Sequence, residues 1–308
     1  MSEIVKRPLW INLLLVVLPA WLIVSGIGAI WYYFHLEKKE ALVEQQRFSQ
    51  SVSIPLLSDD LRKIVEVIGE RNRSSEKAAG NLSRTSSMIE GLLGPSNTGY
   101  AIKQHSGPSE WPLLQVSILG KDSKAPAIWV LTSYDSPPGS RGAEANATGL
   151  AATLATAQAL ANDDPAGSIH FLLLPHANDP EGPILETVGK VLELFNVSAP
   201  QSSLLYVEAM GAGEALWISS RETTATPLSF VSGLGEIHGA EDVCMGEDTD
   251  FTSILAESGL PAVRVSTRRT MIPAENPDRL PFAPTVAAST GRLIELIRRC
   301  AAAPTTGR

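Results

Sequence analysis

Polar side chains gather at a few points of the sequence, directly after apolar runs. "SYD" at residues 133 to 135, "HANDPE" at residues 176 to 181 and Glu208 each follow such a run, and "GEDTDF" at residues 246 to 251 is a fourth polar cluster. Carboxylates and imidazoles are the side chains that bind divalent metals and transfer protons. If the fold brings these clusters together, their composition is that of a metal-dependent hydrolase site.

The elements that would carry these clusters follow an alternating pattern of strands and helices. Five apolar segments predict strands: "LLQVSILG", "APAIWVLTSYD", "SIHFLLLP", "SLLYVEAM" and "PAVRVS". Helical spacing predicts helices over residues 58 to 71, 84 to 94, 147 to 161, 185 to 195 and 286 to 300, with a loop over 72 to 84. Strands that are apolar throughout are typical of a sheet covered on both faces. The pattern predicts a three-layer α/β/α sandwich with a mixed, largely parallel sheet, whose carboxyl strand ends carry the polar clusters.

Seven short motifs, in a fixed order, carry a resemblance to a known family. They are "VIGERN", "SYDS", "GAEANATG", "LLLPHANDPEG", "EAMGAG", "TDFTSILAESGLPAV" and "TMIPAENPDRL". In this order they resemble the landmarks of the M28 family of zinc aminopeptidases, which also includes glutaminyl cyclases. The resemblance covers the chain from about Asp59 to its end, and it implies the zinc-exopeptidase fold with a two-zinc site.

At the positions of the family's metal ligands, however, this sequence departs from the pattern. The first zinc histidine falls on Ser133, the bridging aspartate on Ala145 and the last zinc histidine on Met271. The remaining ligand aspartate falls on Glu208, the mildest change. Asp135, which orients the first histidine in the family, is kept.

The family's general-base and ligand glutamates fall on Asn178 and Asp179, or on Asp179 and Pro180 if the gap is placed differently. An asparagine cannot act as a base in either alignment. A catalytic zinc needs about three protein ligands, and two zincs need a bridge between them. Ala145 has no donor atom, and the Met271 thioether suits copper(I) better than zinc. The sequence therefore favours a non-catalytic binding or scaffold module for which no cofactor is expected.

The alternative is a metallohydrolase with a rebuilt site for a single zinc ion. Its candidate ligands are Asp135, His176, Asp179, Glu208 and Asp250. A Ser133–His176–Asp135 triad is disfavoured, because no Gly-x-Ser-x-Gly elbow exposes a nucleophile.

A long apolar segment precedes the domain. Residues 9 to 34 carry no charge and are long enough to span a bilayer with some tilt. Trp10 lies near one end and Trp31 near the other, as in interfacial aromatic belts. A cleaved signal peptide is the rival interpretation, but the apolar run is long for one. We expect a tail over residues 1 to 8, a transmembrane helix over 9 to 34, a stalk over 35 to 57, the domain over 58 to 301 and a disordered tail over 302 to 308.

Charge limits the range of partners. The net charge is -8, and the absence of a Lys/Arg-rich block argues against a nucleic-acid partner. The expected partners are the membrane, through the N-terminal helix, and either a membrane-protein complex or a peptide ligand. Basic residues flank the apolar segment on both sides, so charge does not fix its orientation, while the family resemblance favours an extracytoplasmic domain. Cys244 and Cys300 could form one bridge or remain small buried side chains.

Overall fold

The structure is a computed structural model that describes most of the chain. The described residues are 14, 17–35, 52–196, 202–221, 228, 231, 233–241, 250–260, 262–269 and 276–302. Met271, Cys244 and residues 303 to 308 lie outside them. The chain divides into two compact units, Met1–Gln46 and Arg47–Arg308.

Helix α1, Val17–His35, is the described part of the first unit. Its length and its apolar composition are those of a membrane span or of a signal sequence. Its side chains, among them Trp21, Val24 and Trp31, are exposed. This confirms the apolar N-terminal helix that the sequence predicts.

The second unit contains six described α-helices and eight strands. The helices are α2 Ile54–Arg62, α3 Glu76–Leu93, α4 Thr148–Ala159, α5 Ile184–Asn196, α6 Phe251–Glu257 and α7 Ala283–Ala301. The strands are β1 Lys103–His105, β2 Leu113–Ile118, β3 Ile128–Ser133, β4 Ile169–Leu174, β5 Ser203–Val207, β6 Leu216–Ser219, β7 His238–Glu241 and β8 Ala262–Ser266.

All eight strands form one mixed sheet in the order β1-β2-β4-β3-β5-β8-β6-β7. The four central strands β4, β3, β5 and β8 are parallel, while β1, β2 and the β8–β6 pair are antiparallel. Helices α2, α3, α4 and α7 contact one another in one layer, and α5 contacts α6 in another. The predicted three-layer sandwich is confirmed.

The central strands are buried on both faces, which explains their unbroken apolar sequences. Ile128 and Val130 of β3 belong to one hydrophobic cluster, whereas Trp129 and Leu131 belong to the cluster on the opposite face. Consecutive strand residues point to opposite faces, so a strand that is covered on both sides must be apolar at every position.

Helix α3 corrects the prediction of a loop over residues 72 to 84. It begins at Glu76, and its N-cap Ser75 accepts a hydrogen bond from the amide of Ala78 at 3.2 Å. Leu82 and Ile89 lie on its buried face. Polar residues fill the exposed face, so the average composition of this segment is that of a loop although its period is helical.

Helix α2 begins four residues before the predicted start at Ser58. Its N-cap is Ser53, and a proline lies in its first turn. Proline is well suited to that position because the first amides of a helix have no partner within the helix. The short strands β1, β6 and β7 and helix α6 were not predicted from the sequence.

Candidate functional site

Three of the polar clusters lie at one edge of the sheet. Ser133 ends β3 and pairs in register with Leu174, the last residue of β4, two residues before His176. Val207 ends β5 beside Val265 of β8 and is followed by Glu208. Because these strands are parallel, their carboxyl ends meet at the same edge, as the sequence predicts.

Asn178 and Asp135 are joined by a dense set of hydrogen bonds. Oδ2 of Asp135 accepts from the amides of Ala177, Asn178 and Asp179 at 2.9, 2.8 and 3.1 Å. The Asn178 side-chain nitrogen donates to Oδ1 of Asp135 at 3.0 Å and to Oγ of Ser133 at 2.7 Å. Next to a carboxylate, an amide side chain must present its NH₂ group rather than its oxygen. The Asn178 amide thus bridges the two residues that the sequence places at the first metal position.

The Ser133 hydroxyl receives further donors from two buried side chains. The Asn146 amide nitrogen lies 3.3 Å from Oγ of Ser133, and the Tyr206 hydroxyl lies 3.4 Å from it. Asn146 also donates to Oγ1 of Thr132 at 2.7 Å. Since a hydroxyl oxygen has two lone pairs, Asn178 and one of these two longer contacts are enough to fill its capacity as an acceptor.

Burial controls the titration of the groups around Ser133. Burial raises the pKa of Asp135, and the hydrogen bonds from the 177–179 segment oppose that rise. Burial also raises the pKa of the Tyr206 hydroxyl well above its usual range, and the carboxylate of Glu208 adds to the effect. Asp135 and Asp250 act on Tyr206 in the same direction, so Tyr206 lies within the field of all three carboxylates.

Arg71, from the "VIGERN" motif, is fully buried and fixes the loop after β3. Its guanidinium donates to the carbonyls of Tyr134, Gly69 and Arg141 at 3.1, 2.6 and 2.9 Å. Burial lowers the pKa of Arg71 to about 10, and the negative charge of Asp135 opposes that shift. Arg71 is therefore a structural cation that positions the Asp135 segment.

Asp179 and His176 occupy the same loop and make different contacts. Asp179 accepts from the amides of Arg73 and Glu181 at 3.2 and 3.0 Å, so its carboxylate caps local backbone. His176 is fully buried with its ring edge-on to Trp111, the ring centroids 5.6 Å apart. The backbone of Pro108 lies near the ring, but neither ring nitrogen makes a hydrogen bond of normal geometry among the described residues.

Glu208 and Asp250 are both held by Arg264, which projects from β8. Nε of Arg264 lies 2.5 Å from Oε2 of Glu208 and 3.7 Å from Oδ2 of Asp250. The Arg264 side chain is 7% exposed. Asp250 is also the N-cap of α6, where it accepts from the amide of Ser253 at 2.7 Å. A guanidinium thus pairs with Glu208 and places its single positive charge close to Asp250 as well, on this side of the strand ends.

Ala145 lies in the turn Ala143–Ala147 between β3 and α4 and offers no donor atom. Its neighbour Glu144 forms an ion pair with Arg268 at 2.8 Å. Met271 lies outside the described residues.

These residues do not fit zinc as the family's ligands would. Zinc takes imidazole, thiolate or carboxylate ligands. At the positions in question this chain has a hydroxyl and an amide bonded to each other, a methyl group, and a carboxylate paired with arginine. Among the described residues, no group of three His, Cys, Asp or Glu side chains is placed to hold a metal ion.

Solved structures with the same architecture include aminopeptidases and glutaminyl cyclases. Legionella pneumophila LapA aminopeptidase matches with a TM-score of 0.62 and 14% identity, over 84% of this chain and 74% of LapA. A Zn-dependent exopeptidase from Parabacteroides distasonis matches with a TM-score of 0.54 and 13% identity, over 80% of this chain and 98% of that protein. The second unit has the zinc-exopeptidase fold. A glutaminyl cyclase from Porphyromonas gingivalis also shares this zinc-exopeptidase fold, with a TM-score of 0.53 and 12% identity over 80% and 98% of the two chains. No family model matches the sequence, and no curated protein is significantly similar to it.

Sequence reasoning missed two residues of this site, Arg264 and Tyr206. Arg264 is the one charged residue in the strand segment "PAVRVS". A charge within a buried strand requires an acidic partner, and this signal could have pointed to Glu208. Tyr206 in "SLLYVEAM" gives no comparable signal, because a tyrosine in a strand is most simply a core residue.

Gly149 is predicted to be intolerant of a side chain. A Cβ at this position would collide with the Asn146 side-chain oxygen and the Glu208 carbonyl. We expect Gly149→Ala to lower the free energy of unfolding by about 1–3 kcal/mol, the usual effect of overpacking. Urea denaturation would measure it. Gly80→Ala is the matched control, since a Cβ at Gly80 meets nothing within 4 Å and alanine favours a helix. Equal behaviour of the two variants would contradict the packing argument.

His176 is expected to make stability depend on pH. Burial, and secondarily the positive charge of Arg73, lower the pKa of His176 from 6.5 to about 4. The unfolded chain therefore takes up the proton first, and stability present above pH 6.5 is lost as the pH falls toward 4. At pH 5 the loss is about 2 kcal/mol. Denaturation at pH 7 and at pH 5 measures the difference in the free energy of unfolding between the two pH values. We expect this difference to shrink in His176→Leu and to stay unchanged in His105→Gln. An unchanged difference in His176→Leu would refute the assignment.

Proposed function

We propose that the second unit is a non-catalytic binding module with the zinc-exopeptidase fold, anchored in a membrane by α1 and facing the extracytoplasmic side. The observation that carries the proposal is the Asn178 amide, which donates to both Ser133 and Asp135. By the family resemblance, an aminopeptidase of this fold would have a zinc histidine in place of Ser133 and, in one of the two alignments, a carboxylate base in place of Asn178. An amide can neither accept a proton from water nor bind zinc through its NH₂ group.

The Arg264 ion pair supports the proposal from the other side of the strand ends. A metal ion at a two-carboxylate position supplies positive charge that balances the ligands. Here the guanidinium supplies that charge to Glu208 and Asp250 from within the chain. A dication in the same place would face Coulomb repulsion from Arg264 as well as the loss of an existing ion pair.

Hydrolysis assays test the proposal against its alternative. The full-length protein, purified in detergent, would be incubated with zinc, a panel of aminoacyl-p-nitroanilides and a peptide with N-terminal glutamine. We expect the wild-type protein to hydrolyse these substrates no faster than the Asp135→Asn variant does. Zinc-dependent turnover that Asp135→Asn or Asp179→Asn abolishes would instead establish the metallohydrolase with a rebuilt site at Asp135, His176, Asp179, Glu208 and Asp250.

The anchor can be tested separately from the chemistry. If α1 remains part of the protein, intact-mass measurement of protein extracted from the membrane will account for the whole chain. A mass that starts after the apolar segment would show cleavage and overturn the anchor. For a protein that keeps α1, protease protection in sealed vesicles would report which side of the membrane carries the domain.

A further inference from the structure

We propose that a groove between the start of α2 and the start of α7 binds the C-terminal end of a short apolar peptide. The proposal rests on the non-catalytic binding function above and names a ligand class for it. The groove has a volume of about 970 Å³. This is the upper end of the range of small-ligand sites, about 300–1,000 Å³.

The lining of the groove contains none of the metal positions that the structure describes. Its lining comes from α2, from the turn after β3, from the segment after β5 and from the residues leading into α7. None of Ser133, Asp135, Asn178, Asp179 or Glu208 belongs to it. A ligand in the groove would therefore not depend on the chemistry lost at the strand ends.

The walls of the groove are largely apolar and partly exposed. Ile54 and Pro55 line it from α2, and Leu280 and Phe282 line it from the opposite side. Phe282 is 72% exposed, and Ile54 and Leu280 are half-buried. An apolar surface of this kind, left open in a folded domain, is characteristic of a binding site.

Charge gives the groove its preference for an anion. Its charged lining residues are Glu144, Arg268 and Arg279. Glu144 and Arg268 form an ion pair, whereas exposed Arg279 makes no ion pair among the described residues. Within the part of the chain that the structure describes, the groove thus presents one positive charge without a counter-charge, on a chain whose net charge is -8. A guanidinium binds a carboxylate through paired, charge-assisted hydrogen bonds.

The distribution of polar groups favours a peptide over a fatty acid. Ser58 and Asn276 belong to the lining together with the charged residues and the apolar side chains. An acyl chain has nothing to offer these groups, whereas a peptide backbone supplies a donor and an acceptor at every residue. Apolar side chains would contact the walls, and the terminal carboxylate would pair with Arg279.

Fluorescence anisotropy with defined tripeptides tests the proposal. The probes are fluorescein-Ala-Leu-Xaa, one for each amino acid at Xaa, with a free carboxylate or a terminal amide. Full-length protein in detergent with excess EDTA is titrated into each, and protein-free detergent is the blank. We expect saturable binding of at least one free acid and at least about tenfold weaker binding of its amide.

Two variants locate the site. Arg279→Gln is expected to weaken binding of the free-acid peptide about tenfold and to leave binding of the amide peptide unchanged. Ala212→Trp fills the groove and should abolish binding of both peptides. Arg84→Gln, the same charge change elsewhere on the surface, should have no effect. The proposal fails if no acid binds saturably, or if acid and amide bind equally to wild type and Arg279→Gln. Because EDTA removes zinc, a failure of peptide binding leaves the non-catalytic proposal intact. Zinc-dependent hydrolysis in the earlier assay would overturn the non-catalytic proposal without contradicting peptide binding in the groove.

Discussion

Arg264→Met is expected to lower the free energy of unfolding by about 3 kcal/mol, because it leaves two partly buried carboxylates without their counter-charge. Arg264 is 7% exposed and Glu208 is 22% exposed, so water screens the pair poorly. Methionine preserves most of the volume of the side chain, which confines the change to charge and hydrogen bonding. Chemical denaturation of the full-length protein at pH 7 measures the effect.

Two controls separate the buried ion pair from ordinary surface chemistry. Arg221→Met breaks the pair with Glu257, whose side chain is 53% exposed, and should cost less than about 1 kcal/mol. The double variant Arg264→Met with Glu208→Met should recover part of the loss, since an apolar pair needs no counter-charge. If Arg264→Met and Arg221→Met were equally mild, the guanidinium would not be what holds these strand ends together.

Asn178→Asp is the second substitution for which we expect a large loss of stability. The substitution keeps the shape of the side chain and replaces the NH₂ group by an oxygen that faces Oδ1 of Asp135 across a contact now 3.0 Å long. It also removes the donor to Ser133. Loss of these hydrogen bonds and repulsion between two carboxylates together predict a destabilisation of about 2–4 kcal/mol at pH 7.

The pH dependence of the Asn178→Asp variant identifies the cause. Repulsion raises the folded-state pKa of the carboxylate pair above the unfolded value, so the folded variant binds a proton more tightly than the unfolded chain. The stability difference from wild type should then narrow as the pH falls from 7 toward 5. A difference that stayed constant over this range would mean that the Asn178 amide does not donate to Asp135.

The architecture could be predicted from sequence because the central strands leave little ambiguity. Segments such as "SIHFLLLP" are apolar at every position, and only a strand or helix buried on all sides has that property. Their polar ends then had to meet at one edge of the sheet. Strands β1, β6 and β7, in the outer parts of the sheet, are three or four residues long and have no such signature.

The arrangement of the site could be predicted only in part. Residue type alone predicts that Ala145 has no side-chain donor for a metal, that the Ser133 hydroxyl is a poor zinc ligand and that the Asn178 amide is no base. Residue type does not show which partners within the chain the remaining polar side chains pair with. The Arg264–Glu208 pair joins residues 56 positions apart, and only the alignment of β5 with β8 brings them together. Long-range pairs of this kind depend on register, which composition does not encode.

Metal content measured by mass spectrometry is the most direct test of the central claim, that internal hydrogen bonds and an arginine have replaced the zinc site. The full-length protein, without a metal-binding tag, would be purified without chelator, dialysed against excess zinc and then against zinc-free buffer. We predict fewer than about one zinc ion per ten chains, because the described donor set does not fit the metal. Retention of about one or two zinc ions per chain, lost in Asp135→Asn, would contradict the claim.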